Sequence, residues 1–271
     1  MYPFAYHRPR TLAEARNLFQ GGADATFLSG GHTLLPALKQ RLAAPSDLID
    51  LTGVPEMRGL SREGSTLRIG AAMTHAEVAA SPVVREAIPA LAGLAGSIAD
   101  RHVRHRGTIG GSTANNDPAA DYPSAVLGLG ATVVTDRREI PADDFFTGLY
   151  ETAREPGEIL IRIDFPIPDS AAYAKFRSPA SRFPIVGVFV SRAGGRARVA
   201  VTGAGASGVF RPAAFEAALS ADFRPDAIAD LAVAPGDLLS DLNGSGEYRA
   251  HLIKILCARA VARPGEIQSF K

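Results

Sequence analysis

Two glycine-rich turns, far apart in the chain, constrain what it can fold into. The first is Ser29-Gly30-Gly31-His32-Thr33, which directly follows a strand-like run from Ala25 to Ser29. The second lies within Arg104-His105-Arg106-Gly107-Thr108-Ile109-Gly110-Gly111-Ser112-Thr113 and is followed by Asp117-Pro118-Ala119-Ala120-Asp121. Glycine admits positive φ and close approach to the main chain. Turns of this kind, flanked by hydroxyls, can present backbone N–H groups to one anion. The second segment reads as non-helical. The pair together predicts a phosphate-bearing cofactor held between two parts of the chain. The spacing matches neither Gly-x-Gly-x-x-Gly nor the P-loop signature, so dinucleotide-fold and ATPase readings have no motif support.

Local signals place these turns between alternating strands and helices. Thr11-Leu12-Ala13-Glu14 reads as a capping box opening a helix that Gly21-Gly22 stops. Helical pattern follows the first turn over Leu34–Arg41, and a strand over Asp47–Leu51. Further on come a strand at Leu67–Ala71, a second capping box at Thr74–Glu77, helical pattern over Val83–Ile98 broken by Pro89, and a helix at Ser124–Leu129. Ala131–Thr135 and Glu158–Phe165 read as strands. Pro166–Ser170 is the expected boundary. Beyond it, Ala171–Arg177, Pro184–Arg192 and Arg196–Thr202 read as antiparallel strands, with Gly194-Gly195 as a hairpin turn. Helices are expected at Pro212–Leu219, Asp226–Ala234 and Tyr248–Ala262. The alternation indicates α+β.

Composition excludes several functions. The 271 residues carry a formal net charge of +1, so no global field attracts nucleic acid or an anionic membrane. No apolar run approaches the roughly 18 residues that span a bilayer. Met1–His7 lacks the basic start and apolar core of a signal peptide, and the expected compartment is the cytoplasm. The single cysteine, Cys257, cannot support an iron–sulfur cluster, which normally takes four thiolates. It sits in an apolar helical run and reads as a core residue.

The remaining candidates carry open alternatives. Asp121 reads either as a cap for the helix opening at Tyr122-Pro123 or as an acceptor for sugar hydroxyls, with Asp117 as its companion. His102 and His105 have no metal-ligand companions and read as part of a solvated basic face with Arg101, Arg104 and Arg106, one that could touch an acidic partner or phosphates. Lys175 and Arg177 read as an ordinary exposed strand flank or as positive groups near an electron-rich ring. No nucleophile elbow occurs.

These motifs resemble those of the flavoprotein (medium) subunit of the molybdenum hydroxylases, a family that includes carbon monoxide dehydrogenase and bacterial xanthine dehydrogenases. Ser29–Pro36 is similar to that family's first FAD loop. Arg104–Gly111 with Asp117–Asp121 is similar to its second, and Asp241–Arg249 to a segment of its C-terminal domain. The resemblance implies an α+β chain in which two subdomains of the vanillyl-alcohol-oxidase (PCMH) type, about residues 1–55 and 56–167, sandwich FAD. A C-terminal α+β domain over residues 168–271, with an antiparallel sheet and helices, would complete the pocket. It implies FAD contacts from Ser29, Gly30, Gly31, His32, Thr33 and Leu34, from Thr108, Ile109, Gly110, Gly111 and Ser112, and from Ile98, Asp121 and Arg177. It implies no catalytic acid or base and no metal ligand. The implied role is electron transfer: electrons arrive from [2Fe–2S] clusters on a small subunit, after hydroxylation on a large molybdopterin subunit, and leave to an external acceptor. The implied assembly is a dimer of heterotrimers. A stand-alone flavin-dependent oxidoreductase remains the alternative. Ser112 departs from the family's usual Asn, and Asn115-Asn116 from a histidine-containing stretch.

Overall fold

The computed structural model describes residues 1–265 and the backbone of Ile267–Phe270. Its first unit is a small parallel sheet. Strand β1 (Ala5–His7) leads to helix α1 (Leu12–Gly21), β2 (Ala25–Leu28), α2 (Leu34–Lys39) and β3 (Asp47–Asp50), with strand order β1-β3-β2. Thr11 caps α1 by accepting the Glu14 amide at 3.1 Å. The Glu14 carboxylate takes the Arg10 amide at 2.7 Å, one residue earlier than a standard capping box would place that bond. The first glycine turn therefore sits at the carboxyl end of β2, where the chain reverses into α2.

The second unit is an antiparallel sheet with helices packed on it. Strands β4 (Leu60–Glu63) and β5 (Thr66–Gly70) are followed by five helices: α3 (His75–Ala80), α4 (Pro82–Ala87), α5 (Pro89–Ser97), α6 (Arg101–Arg106) and α7 (Ile109–Asn115). Then come α8 (Tyr122–Gly128), β6 (Thr132–Thr135), β7 (Glu139–Pro141), α9 (Ala142–Phe145), the hairpin β8 (Phe146–Gly148) and β9 (Glu151–Thr152), and β10 (Leu160–Pro166). The sheet order is β4-β5-β10-β6-β7. The capping box at Thr74 forms in both halves, and Pro89 divides α4 from α5 as expected.

The segment expected to be non-helical is a correction. Two short helices, α6 and α7, occupy it, joined at Gly107-Thr108. Asp100 caps α6 and Thr108 caps α7, each accepting an amide three residues on. Glycines 110 and 111 thus lie in a helix's first turn, where capping and packing outweigh their low propensity.

The C-terminal unit contains β11 (Ser170–Arg177), β12 (Pro184–Ala193), β13 (Arg196–Thr202), α10 (Ala213–Ala221), α11 (Gly246–Ala262) and β14 (Ile267–Phe270), with sheet order β13-β12-β11-β14. β11, β12 and β13 are antiparallel, while β14, which the sequence did not suggest, runs parallel to β11. Gly194 and Gly195 take φ of 54° and 80°, the left-handed pair that a two-residue hairpin turn needs. The helix expected over Asp226–Ala234 shrinks to one 3-10 turn at Pro225–Ile228. Ile228 is its only buried residue, and Pro235 disfavours helical geometry just before it.

β11 is the wall between two cores. Ala172 and Ala174 face α10 and α11, in a core with Phe215, Ile253, Leu256 and Cys257. Tyr173 faces the other way, into a core that continues through both earlier units. This is strand alternation used to join two bodies. Cys257 is fully buried, and burial pushes its thiol up to about 12, as befits a core residue. Among the described residues, no helix is long and apolar enough to cross a membrane, and no cluster of metal-ligating side chains occurs.

Candidate functional site

A cleft of about 750 Å³ runs between the first unit and the second. That is within the usual range for small-molecule sites. Ser29, Gly30, Gly31, His32, Thr33 and Leu34 line it from the first turn, and Thr108, Gly110, Gly111, Ser112 and Asp121 from the second and the start of α8, with Ile98 and the 180–183 segment also in its lining. Two residues named from the sequence are not in its walls. Ile109 is fully buried in the core beneath. Arg177 lies beyond a bulge between Phe176 and Arg177, which breaks the alternation that aims Tyr173 and Lys175.

The two glycine turns use their amides differently. No acceptor among the described residues takes the amides of Gly30, Gly31, His32, Thr33 or Leu34. Five consecutive cleft-lining residues therefore carry amides with no protein acceptor, which suits an anionic ligand. In the second turn the amides of residues 109–112 are committed, and that of Thr108 has no acceptor among the described residues. Ile109 donates to Met73 O (3.0 Å), Gly110 to Ala71 O (2.9 Å), Gly111 to Thr108 Oγ1 (3.1 Å) and Ser112 to Thr108 O (3.0 Å). The expectation that both turns offer free amides is therefore corrected for residues 109–112 of the second turn, which leaves Thr108 as its one free amide donor. The second turn offers hydroxyls and a smooth glycine surface instead.

The glycines have separable reasons. A Cβ on Gly30 would lie 2.4 Å from Arg106 O and 2.6 Å from Gly107 Cα, so the turns touch backbone to backbone there. A Cβ on Gly110 would lie 2.4 Å from Ala71 Cβ. Gly31 has φ of +74°, a conformation that side chains resist. Gly111 is different. A Cβ there would meet only the Thr108 hydroxyl at 2.8 Å and Ser29 Cβ at 3.8 Å.

Asp121 stands at the start of α8 but caps nothing with its side chain. Its Oδ1 accepts from Tyr173 Oη at 2.7 Å and from Lys175 Nζ at 2.9 Å. Lys175, for which the sequence leaves open an exposed flank or a positive group near an electron-rich ring, is fully buried, which excludes the exposed flank. The signal for this was available: a lone lysine two residues after a tyrosine, in an otherwise apolar strand, must share that tyrosine's face.

The basic helix α6 is exposed at Arg101, His102, His105 and Arg106, but Arg104 turns inward and donates to Ile98 O (2.6 Å) and Ala99 O (2.9 Å). Ala99 holds φ of 41° under that clamp. Two further cleft residues escaped the sequence reading. Arg154 donates to Glu158 O at 3.1 Å and keeps its Nε buried without a partner. His75 is buried beside the cleft with Nδ1 unpartnered, and burial, aided by His32 and Arg104, lowers its pKa to about 3. It is neutral at physiological pH. No general acid or base is aimed into the cleft from these groups, and the arrangement suits binding more than proton transfer.

Comparison with known proteins agrees with this geometry. Residues 2–168 match the family described as the FAD binding domain in molybdopterin dehydrogenase. The chain is 36% identical to the carbon monoxide dehydrogenase medium chain of Hydrogenophaga pseudoflava, over 95% of this chain and 96% of that one. It is 33% identical to the nicotine 6-hydroxylase medium subunit of Paenarthrobacter nicotinovorans, over 96% of each. Its fold superimposes on a chain of quinoline 2-oxidoreductase from Pseudomonas putida 86 with a TM-score of 0.86 at 30% identity, covering 98% of both.

Proposed function

The chain belongs to the family of FAD binding domains in molybdopterin dehydrogenases, and from that premise we propose that it is the electron-transferring flavoprotein subunit of a molybdenum hydroxylase. Its relatives are oxidoreductase subunits, and the fold is the α+β FAD-binding fold they share. The observation that carries the site assignment is the run of five unpartnered amides at Gly30–Leu34 beside a cleft of dinucleotide-compatible size.

In this reading the amides of Gly30–Leu34 hold the pyrophosphate. Ser29, Thr108 and Ser112 offer hydroxyls, and Gly111 leaves the opposite wall low enough for close approach. Ile98 supplies an apolar surface. Asp121 accepts from sugar or ribityl hydroxyls. FAD, when bound here, would supply the redox chemistry that links iron–sulfur clusters on a partner chain to an external acceptor. The protein's part is to orient the ring and exclude water. Domains at about 1–167 and 168–271 fit the two cores that β11 separates.

The partners proposed are a small subunit with [2Fe–2S] clusters and a large subunit with molybdopterin, assembled as a dimer of heterotrimers in the cytoplasm. The single cysteine supports this, since the clusters must lie on another chain. The hydroxylase substrate is not assigned: relatives named for carbon monoxide, nicotine and quinoline share this fold. Co-purification with the neighbouring subunits should yield a yellow complex with one flavin per chain. Removing the flavin should leave substrate-reduced clusters unable to reach the acceptor, and adding FAD should restore transfer. A flavin-free complex, or acceptor reduction at full rate without flavin, overturns the proposal.

A further inference from the structure

Three walls of the cleft meet at one ammonium group. Lys175 Nζ donates to Asp121 Oδ1 (2.9 Å) at the start of α8, to Ser97 O (3.0 Å) at the end of α5, and to Arg182 O (3.4 Å) in the 178–183 segment. The ammonium is fully enclosed, and its three donors fall on three acceptors. Tyr173, on the same face of β11, places its hydroxyl 2.7 Å from the same Asp121 Oδ1. Room for that ring is reserved across the sheet. A Cβ on Gly187 of β12 would sit 2.5 Å from Tyr173 Oη. Ser124 Oγ holds the other side of the turn by donating to the Asp121 carbonyl at 2.7 Å.

The consequence is a division of labour within one carboxylate. Both protein donors converge on Oδ1, and no donor among the described residues reaches Oδ2. Asp121 nevertheless lines the cleft. We infer that Tyr173 and Lys175 are positioning residues that pin Asp121 through Oδ1, so that Oδ2 is kept as the acceptor for a hydroxyl of the bound flavin dinucleotide. This rests on the FAD reading above and extends it to residues outside the cleft wall. It also explains why the C-terminal unit matters to a site formed mostly by residues that precede it.

A carboxylate fixed by two charge-assisted or neutral donors loses little freedom when a ligand hydroxyl arrives, so removing either pin should weaken binding without removing the acceptor. The test is a double-mutant cycle read as FAD affinity, on the full chain in the complex with which it purifies. Asp121→Asn and Tyr173→Phe should each weaken FAD binding by roughly tenfold, and Lys175→Met by at least as much. The two pins should act only through Asp121. Asp121→Asn/Tyr173→Phe should therefore bind FAD no more weakly than Asp121→Asn alone. Thermal denaturation of the flavin-stripped variants runs beside it, since Lys175→Met leaves a buried carboxylate with one partner fewer. Tyr173→Phe, which deletes only a hydroxyl, keeps the question open to test if Lys175→Met fails to fold. Penalties on FAD affinity that add in the double variant would overturn the inference and leave the FAD reading standing. Wild-type protein that takes up no flavin would overturn both.

Discussion

Ser29 Oγ and Thr108 Oγ1 lie 2.8 Å apart although 79 residues separate them. That contact closes the first glycine turn onto the second. The same Thr108 oxygen accepts the Gly111 amide and so caps α7. One hydroxyl therefore fixes a helix start and the relation between two units. Thr108→Val keeps the shape and deletes both bonds. It should destabilise the flavin-stripped protein by about 1–2 kcal/mol, the usual worth of a cap, and also loosen the cleft. Denaturant titration measures the first effect and FAD titration the second. Unchanged stability would show that the hydroxyl contact is not formed.

The glycines should separate into two classes when substituted. Gly30→Ala forces a methyl against Arg106 O and Gly107 Cα, and backbone cannot yield as a side chain does. A loss of roughly 1–3 kcal/mol or more in the flavin-free protein is expected. Gly110→Ala meets Ala71 and should behave likewise. Circular dichroism melts check both, and melts matching the wild type would contradict the close approach.

Gly111→Val belongs to the other class. Its Cβ meets the Thr108 hydroxyl and disturbs that cap, and its methyls project where the ligand is proposed to approach. Flavin occupancy should therefore fall further than it does in Thr108→Val, at a similar loss of stability. Absorbance per chain after purification reads occupancy directly. A fully occupied Gly111→Val protein would remove this wall from the proposed site.

The sequence made the two turns legible because two such pairs, each beside hydroxyls, are harder to explain together as ordinary turns than either is alone. It also made the strand order of the C-terminal hairpin legible, through Gly194-Gly195. What it hid were relations that depend on tertiary contact. The helices α6 and α7 were missed because glycines at 107, 110 and 111 mask capping by Asp100 and Thr108, which only the fold makes decisive. The commitment of the second turn's amides was hidden because their acceptors, Met73 O and Ala71 O, belong to a segment with no motif of its own. For Lys175 the sequence leaves an exposed flank open because charge usually means exposure. Its burial follows from the partners Asp121, Ser97 and Arg182, all remote in sequence.

Acid should destabilise this protein in a stage assignable to His75. Burial lowers its pKa from an ordinary 6.5 to about 3. The unfolded chain takes up a proton there below about pH 6.5, while the native state does so only near the lower value. Stability from keeping His75 neutral is therefore complete above pH 6.5 and is lost progressively as the pH falls toward 3. Glu158, held at about 2 chiefly by Arg138 against the cost of its burial, adds its loss only below its ordinary 4.5. The interval between 6.5 and 4.5 thus isolates His75 from that carboxylate. Urea midpoints should fall over this interval in the wild type by an amount worth roughly a few kcal/mol, and stay flatter in His75→Gln. Parallel curves for the two proteins would refute the assignment.

Arg249 tests whether the third segment of family resemblance serves the site or the fold. The side chain is 2% exposed and spans the C-terminal unit. Its Nη1 donates to Ile185 O at 2.5 Å and Gly203 O at 2.7 Å, and its Nη2 to Asp241 at 2.7 Å. Gly203 can turn its carbonyl this way because it holds φ of +80°, and a Cβ there would lie 2.5 Å from Pro184 O. Asp241 in turn accepts the Asn243 amide at 2.8 Å, which folds the segment back on itself. None of these residues lines the cleft. Arg249→Met removes the guanidinium and leaves two buried carbonyls without a donor, while the half-exposed Asp241 keeps water and the Asn243 amide, so a loss of about 2–4 kcal/mol is expected. The folded fraction should retain wild-type FAD affinity, because this unit shapes the cleft through the 180–183 segment and the Tyr173 and Lys175 contacts of β11, not through Asp241–Arg249. Melting temperature and FAD affinity, measured on the same preparation, separate the outcomes. A protein with normal stability and weakened FAD binding would move Asp241–Arg249 from the scaffold into the site.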